Sequence, residues 1–348
     1  MNDRDMNDKD RPIGVLVMAH GTPASAAEVE SFYSSIRRGS PPPPELLAQL
    51  EDRYRAIGGL SPLTEVTRAQ VAGLRAELEA RAPGRYVVAY GAKHVQPSIE
   101  DGVAELVDAG AERIVGIVLT PHASSLGSGA YLERAAAAAA TPTPSASGTA
   151  VTFVGVRSWH RTEGLCDLLA ERTQRAINSL EPSARGKVAL FFTAHSVPRQ
   201  ALAKGDAYPR QVAESAADIA AHLGLDAVDG LSWDVAWQSA GRTSDPWVGP
   251  SLLSEIDRVA GRGATAVVVC PVGFVADHLE VLYDLDIEAA RAAAGHGLAF
   301  ARTASLNDDP RFLAVLGRAV DSALDAAAPS VAAPSGGAAA TGSGARHG

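Results

Sequence analysis

The stretch ALFFTAHSVP, residues 189–198, repeats the pattern of GVLVMAHGTP, residues 14–23. Each begins as an apolar run and ends in Ala-His, a small residue, one further residue and proline. A short apolar run that stops at such a turn is typical of a buried strand. The two stretches therefore predict equivalent strands in two halves of the chain.

Two further pairs of segments support this correspondence. VVAYGAKHVQP (87–97) matches DVAWQSAGRTSDP (234–246), and RIVGIVLTPHASS (113–125) matches TAVVVCPVGFVAD (265–277). Because the order and approximate spacing agree across all three pairs, the sequence indicates an internal duplication.

Strands alternate with helices along the whole chain, which is typical of parallel sheets with right-handed crossovers. We expect an α/β protein of two similar domains facing one cleft. The first domain is expected at 12–122, joined by a carboxyl-terminal helix at about 308–327, and the second at 123–301. The polar segment 1–11 and the Ala/Gly/Ser-rich segment 328–348 are expected to be disordered tails, and 141–149 a surface loop. The predicted strands are 13–19, 86–90, 113–119, 151–156, 188–193, 235–238 and 266–270; the predicted helices are 25–36, 45–57, 64–82, 99–109, 131–140, 163–180, 211–223 and 251–262.

Composition excludes several classes of protein. The 348 residues carry a net charge of −9, which argues against nucleic-acid binding because that requires basic surface. Cys166 and Cys270 are the two cysteines of the sequence, so one chain can build neither a disulfide framework nor a four-cysteine cluster. No apolar run approaches the roughly 18 residues of a membrane span, and the charged amino terminus lacks a signal-peptide core. We expect a cytoplasmic protein.

Histidines follow several predicted strand ends, where ligands bind in open parallel sheets. The motifs of dinucleotide sites, Walker phosphate sites, serine-hydrolase elbows and zincins are absent from these positions. Neutral imidazole and carboxylate remain, and these suit a divalent first-row metal and proton transfer near neutral pH. The histidines are His20, His94, His122 and His195.

Carboxylates recur every four residues at Glu280, Asp284 and Glu288. If the segment after Phe274 is helical, these side chains stack along one face and repel one another. Solvent, a basic partner or a bound cation would offset that repulsion, and the sequence leaves these open.

Six segments carry a resemblance to a known family: AHGTP, IRRG, RYRAIGGLSPL, TAHSVP, WQSAGRTSDPWVGP and PVGFVADHLEVLYDLDIE. They resemble the ferrochelatases, most of all the soluble coproporphyrin III ferrochelatases of Gram-positive-type bacteria, and the likeness runs from about residue 13 to 327. It implies two Rossmann-like, chelatase-type domains that clamp a porphyrin and insert Fe²⁺ without an organic cofactor. Insertion into coproporphyrin III would give coproheme in haem biosynthesis.

The resemblance also implies roles for individual residues. His195 and Glu280 would receive the metal or accept pyrrole protons, with Asp284 and Glu288 as a secondary cation site. An imidazole with a pKa of about 6.5 would be half-protonated near neutrality. Arginine can hold porphyrin carboxylates bidentately. The expected porphyrin contacts are His20, Arg37, Arg53, Tyr54, Ser61 and Tyr131.

Two departures from the family pattern follow from the sequence. His20 stands where close relatives commonly have tyrosine, and a [2Fe–2S] cluster, which some members bind through four cysteines, is expected to be absent. Protoporphyrin IX as substrate stays open, as do a cobalt or nickel chelatase and a non-catalytic haem or metal carrier. We expect a monomer that meets other enzymes of haem synthesis transiently.

Overall fold

A computed structural model describes residues 11–141, 151–202, 205–241 and 246–327. The expected tails, apart from residue 11, and the expected loop, apart from residue 141, lie outside the described residues. Within these ranges no helix is both long and apolar enough to cross a membrane.

Two parallel sheets of four strands form the frame of the molecule. The first contains β1 (Ile13–Ala19), β2 (Tyr86–Ala92), β3 (Arg113–Val118) and β4 (Thr152–Val156), in the order β2-β1-β3-β4. The second contains β5 (Val188–His195), β6 (Leu231–Gln238), β7 (Ala266–Cys270) and β8 (Ala299–Arg302), in the order β6-β5-β7-β8. The matching order confirms the predicted fold class of two similar α/β units.

Helices flank both sheets, and local sequence explains where several begin. Ser98 and Asp101 form a reciprocal capping box at the start of α4, and Pro44 occupies the first position of α2, where a missing N–H costs nothing. The helices are α1 (Val29–Ile36), α2 (Pro44–Ala56), α3 (Leu63–Arg81), α4 (Ile99–Asp108), α5 (Ala130–Ala139), α6 (Leu165–Ser179), α7 (Arg199–Leu202), α8 (Tyr208–Leu223), α9 (Leu252–Ala260), α10 (Leu279–Tyr283), α11 (Ala290–Gly295) and α12 (Pro310–Ala327).

The strand predicted at 151–156 lies in the first sheet, not in the second domain where the sequence places it. Its residues pair with β3, from Arg113 opposite Thr152 to Ile117 opposite Val156. That assignment was wrong because the strand follows a long connection, which conceals its partner. The sequence also missed β8, whose register along β7 completes the second sheet. The domain limits themselves stay a prediction.

The two sheets share one hydrophobic core. Val15 of β1, Leu190 of β5 and Phe312 of α12 are fully buried members of the same cluster. Burying a large apolar side chain contributes about 1.5–3 kcal/mol, and α12 buries several in this cluster: Phe312, Leu313, Val315, Leu316, Val320 and Leu324. This shared core fixes the sheets side by side, so their carboxyl edges open toward one space.

Candidate active site

A cleft of about 660 Å³ lies between the carboxyl edges of the two sheets. His20 enters it directly after β1, and His195 enters it as the last residue of β5. The equivalent positions predicted from the repeat therefore meet in one cavity. The predicted site residues that line it are His20, Arg53, Tyr54, Ser61, Tyr131, His195 and Glu280.

The imidazole of His195 and the carboxylate of Glu280 form the central pair. His195 Nε2 lies 3.4 Å from Glu280 Oε1. One residue ends a central strand and the other belongs to the first turn of α10, so rigid elements hold both. Their side chains remain 37% and 32% exposed, and both are therefore open to a ligand in the cleft.

The pair is ionised near neutral pH. Withdrawal from water would lower the pKa of His195, but the adjacent Glu280 carboxylate outweighs this and raises the pKa to about 9. Desolvation by itself would raise the pKa of Glu280. His195 and His278 outweigh it and hold the pKa of Glu280 well below its usual range. The expectation of a half-protonated His195 near neutrality is therefore wrong, because it ignored this partner.

His278 is a third member of the group that the sequence analysis did not select. Its Nε2 lies 3.7 Å from Glu280 Oε2, and its Nδ1 lies 2.9 Å from the carbonyl of Ala276. The signal was present, because His278 directly precedes α10 in a loop after a strand end. Among the described residues, no group of three or more His, Cys, Asp or Glu side chains is arranged to hold a metal ion.

The opposite wall of the cleft carries His20. Its ring is exposed and lies 4.6 Å from the ring of His94 and 5.7 Å from that of Phe32, measured between centroids. Tyr54, nearby in the lining, shares a 3.3 Å hydrogen bond with Thr22 through the two hydroxyls. This wall thus offers an imidazole nitrogen within a largely aromatic surface.

Tyr131 and Ser61 are buried but reach the cleft lining. The Lys93 ammonium lies 4.7 Å from the centre of the Tyr131 ring. Arg37 does not line the cleft; its guanidinium lies 5.9 Å from the Tyr33 ring centre, and its buried Nε has no hydrogen-bond partner among the described residues.

Asp284 and Glu288 lie outside the cleft lining, and Arg53 pairs with both. Arg53 Nη2 is 3.1 Å from Asp284 Oδ1 and 3.6 Å from Glu288 Oε2. A basic partner therefore offsets the repulsion that the sequence analysis noted. A solvated face is the wrong interpretation for Asp284, which is 6% exposed.

The predicted single carboxylate face is also interrupted. The helix begins at Leu279, later than expected, and becomes a π-helical turn over Asp284–Ala289. Glu280 faces the cleft, while Asp284 is buried against Arg53.

Comparison with known proteins identifies the family to which the chain is similar. The family model described as Ferrochelatase matches residues 12–324. A ferrochelatase of Thermus thermophilus is 42% identical, covering 89% of this chain and 99% of its own, and a coproporphyrin III ferrochelatase of Bacillus subtilis is 38% identical, covering 89% and 97%. The solved structure of SirB from Bacillus subtilis with Fe³⁺ is similar in fold, with a TM-score of 0.55, 12% identity and coverage of 90% and 95%.

Proposed function

The chain belongs to the ferrochelatase family, and from this premise we propose that it inserts Fe²⁺ into coproporphyrin III to give coproheme in haem biosynthesis. It is then a lyase that forms nitrogen–metal bonds. The observation that carries the proposal is the ionised His195–Glu280 pair, 3.4 Å apart and open to a cleft between two sheets.

Coproporphyrin III is the proposed substrate because several relatives that align over most of this chain, including that of Bacillus subtilis, bear that substrate in their names. The substrate carries four carboxylates, and the protein has a net charge of −9. Local cations must therefore offset long-range repulsion, and arginine is suited to this because its guanidinium binds carboxylates bidentately. Arg37 and Arg53 are the proposed carboxylate contacts.

Arg53 would have to leave Asp284 and Glu288, at least in part, to reach a porphyrin carboxylate. The Arg53 guanidinium carbon lies 4.6 Å from the centre of the Tyr283 ring. This contact would keep the guanidinium near the cleft edge while it changes partner. The remaining proposed contacts are His20, Tyr54, Ser61 and Tyr131, all of which line the cleft.

The reaction exchanges two pyrrole N–H protons for one Fe²⁺ and releases both protons. We infer that Glu280, held as a carboxylate, acts as a ligand and proton acceptor from the start. His195 carries a proton near neutrality and must lose it before it can bind iron or accept another. The approach of a dication disfavours the imidazolium, since like charges repel, and so promotes that loss.

His20 gives the opposite wall a second role in this proposal. An imidazole nitrogen on this side would serve as a ligand of the iron in the product. Histidine binds haem iron well, so release of product would be slower than with tyrosine.

The secondary cation site at Asp284 and Glu288 stays a prediction, and it would compete with Arg53 for the same carboxylates. Four further expectations also stay predictions. They are that the protein is cytoplasmic, that it is a monomer, that it binds no [2Fe–2S] cluster and that it meets partner enzymes transiently.

Anaerobic Fe²⁺ insertion with coproporphyrin III and protoporphyrin IX, compared side by side, tests the proposal. We expect a metalloporphyrin spectrum with both and a higher kcat/KM for coproporphyrin III. Binding of porphyrin and Fe²⁺ without a metalloporphyrin spectrum would indicate a carrier. Faster Co²⁺ or Ni²⁺ insertion into a sirohydrochlorin-type tetrapyrrole would also contradict the proposal.

A further inference from the structure

A polar network surrounds the loop that precedes Glu280. Asn307, which follows β8, makes three hydrogen bonds to this loop. Its backbone N–H donates to Val275 O at 2.8 Å. Its side-chain Oδ1 accepts from the Asp277 N–H at 2.8 Å, and its Nδ2 donates to Asp277 Oδ2 at 2.9 Å. Asn307 has a φ of 46°, in the left-handed region that asparagine tolerates better than most residues. The side chain and the backbone conformation at this position therefore serve one contact.

Asp277 is held from its other side as well. Ser305 Oγ donates to Asp277 Oδ1 at 2.7 Å, and Arg302 Nη2 lies 3.4 Å from the same oxygen. Both partners follow or end β8, the edge strand of the second sheet. The Asp277 side chain is thus fixed to the second half through both of its oxygens.

Gln70 connects this network to the first half of the molecule. It lies on α3 and is 1% exposed. Its Nε2 donates to Asn307 O at 2.9 Å and to Val275 O at 3.4 Å. The Gln70 amide therefore connects α3 both to the loop before Glu280 and to Asn307.

The Gln70 amide uses its nitrogen but not its oxygen, and Gln70 borders the cleft. Because Nε2 is committed to two carbonyls, the planar amide directs Oε1 elsewhere, and this buried oxygen has no hydrogen-bond partner among the described residues. Gln70 and Val275 both line the cleft. The Gln70 amide thus holds both carbonyls although its own buried oxygen is left unpaired, which is unfavourable.

The chain from Asp277 to Glu280 is short. His278 follows directly in an extended conformation, with φ of −156°, and α10 begins at Leu279. A displacement of Asp277 would therefore also move His278 and Glu280.

We propose that Gln70 and Asn307 are positioning residues of the reaction, which together fix Asp277, and through it His278 and Glu280, at a set place relative to α3. This inference rests on the proposed function and deepens it. Neither residue needs to touch the reacting atoms. Both act on where the Glu280 carboxylate stands, and an error of about 1 Å in such placement can cost roughly 100-fold in rate.

The variant Asn307→Asp tests the inference, because it sets a second carboxylate against Asp277 Oδ2 while keeping the volume and the left-handed backbone. We expect kcat for Fe²⁺ insertion to fall at least tenfold, with the dissociation constant of coproporphyrin III changed less than twofold. The double variant Asp277→Asn/Asn307→Asp restores an amide–carboxylate pair with the partners exchanged, and we expect it to recover most of the lost kcat.

Gln70→Met supplies a second variant of similar volume that removes the bridge without adding charge, and it should lower kcat in the same manner. Tyr86→Phe is the matched control, because it removes a 2.9 Å hydrogen bond to Asp321, between β2 and α12, outside the cleft lining. It should lower the unfolding midpoint but leave kcat unchanged.

The outcomes separate the two hypotheses. If Asn307→Asp and Gln70→Met lower only the unfolding midpoint, as Tyr86→Phe does, or if the exchanged pair does not recover kcat beyond Asn307→Asp alone, the inference is wrong. A wild-type protein that forms no metalloporphyrin contradicts the proposed function instead.

Discussion

Arg53 Nη2 lies 3.1 Å from Asp284 Oδ1, so an arginine of α2, in the first half of the chain, neutralises a buried carboxylate of the second half. Burial and the nearby Glu280 carboxylate raise the pKa of Asp284 to about 6, against the opposing effect of Arg53. Arg53, a proposed porphyrin contact, is therefore paired with Asp284, a residue of the proposed cation site.

Arg53→Met should reduce the free energy of unfolding by about 1–3 kcal/mol at pH 7.5, because it leaves a buried carboxylate unpaired; the side chain of Arg53 is 25% exposed, so we expect less than for a fully buried pair. The loss should shrink at pH 5, where Asp284 becomes protonated. Urea unfolding at both pH values measures it. Arg55→Met is the control, since that arginine is 72% exposed and should contribute under about 1 kcal/mol.

A divalent cation at Asp284 and Glu288 must displace Arg53. Mn²⁺ should therefore bind more tightly to Arg53→Met than to the wild type, and Asp284→Asn should abolish the binding. In the wild type, affinity should fall as the pH drops through about 6, because Asp284 takes up a proton. Calorimetric titration measures each affinity. Equal affinities for the wild type and Asp284→Asn would refute a cation site at these residues.

His195→Ala should lower kcat for iron insertion by at least 100-fold, in the range found for loss of a proton-transferring or metal-binding group. Coproporphyrin III should still bind, as quenching of its fluorescence will show. His222→Ala is a suitable control, because His222 is 47% exposed on α8 and pairs with Asp167. Wild-type turnover in His195→Ala would rule out the assigned role.

The His195–Glu280 pair should stabilise the fold within a defined pH window. The pKa of His195 is raised from 6.5 to about 9, so its contribution is complete below pH 6.5 and is lost as the pH rises through 9. The depressed pKa of Glu280 makes its contribution complete above about pH 4.5, with loss at lower pH.

NMR titration of the His195 ring tests this window directly. We expect a midpoint near 9 in the wild type and a lower one in Glu280→Gln. Iron insertion should also slow as the pH falls below 9, because more His195 is protonated. A wild-type midpoint near 6.5 would contradict the pairing.

Gly273→Ala should destabilise the protein by about 1–3 kcal/mol and reduce kcat. A Cβ at this position would lie 2.6 Å from Ala194 Cβ and 2.9 Å from Ala194 Cα, directly before His195. Thermal unfolding and iron insertion measure the two effects. Gly295→Ala is the control: no atom lies within 4 Å of its added Cβ, and alanine favours the end of α11, so stability should stay equal or rise.

Much of the site could be predicted because the repeat places equivalent residues at equivalent strand ends. His20 and His195 meet in one cleft for this reason, since β1 and β5 are the central strands of sheets with the same order. The segment 151–156 could not be assigned in this way. A strand's own sequence specifies burial and period, but its partner depends on where a long connection returns.

The sequence alone determined the α/β class, the duplicated strand pattern and the equivalence of His20 and His195, because these follow from local periodicity and from a repeat that can be aligned. The pairing of His195 with Glu280 was expected only from the resemblance to the ferrochelatases. Tertiary structure decided the charge state of His195, the pairing of Arg53 with Asp284 and the bridge from Gln70 to Asn307. Each of these depends on the distance between atoms far apart in the chain, and electrostatic and hydrogen-bond energies change steeply over the few ångströms that only the packed fold sets.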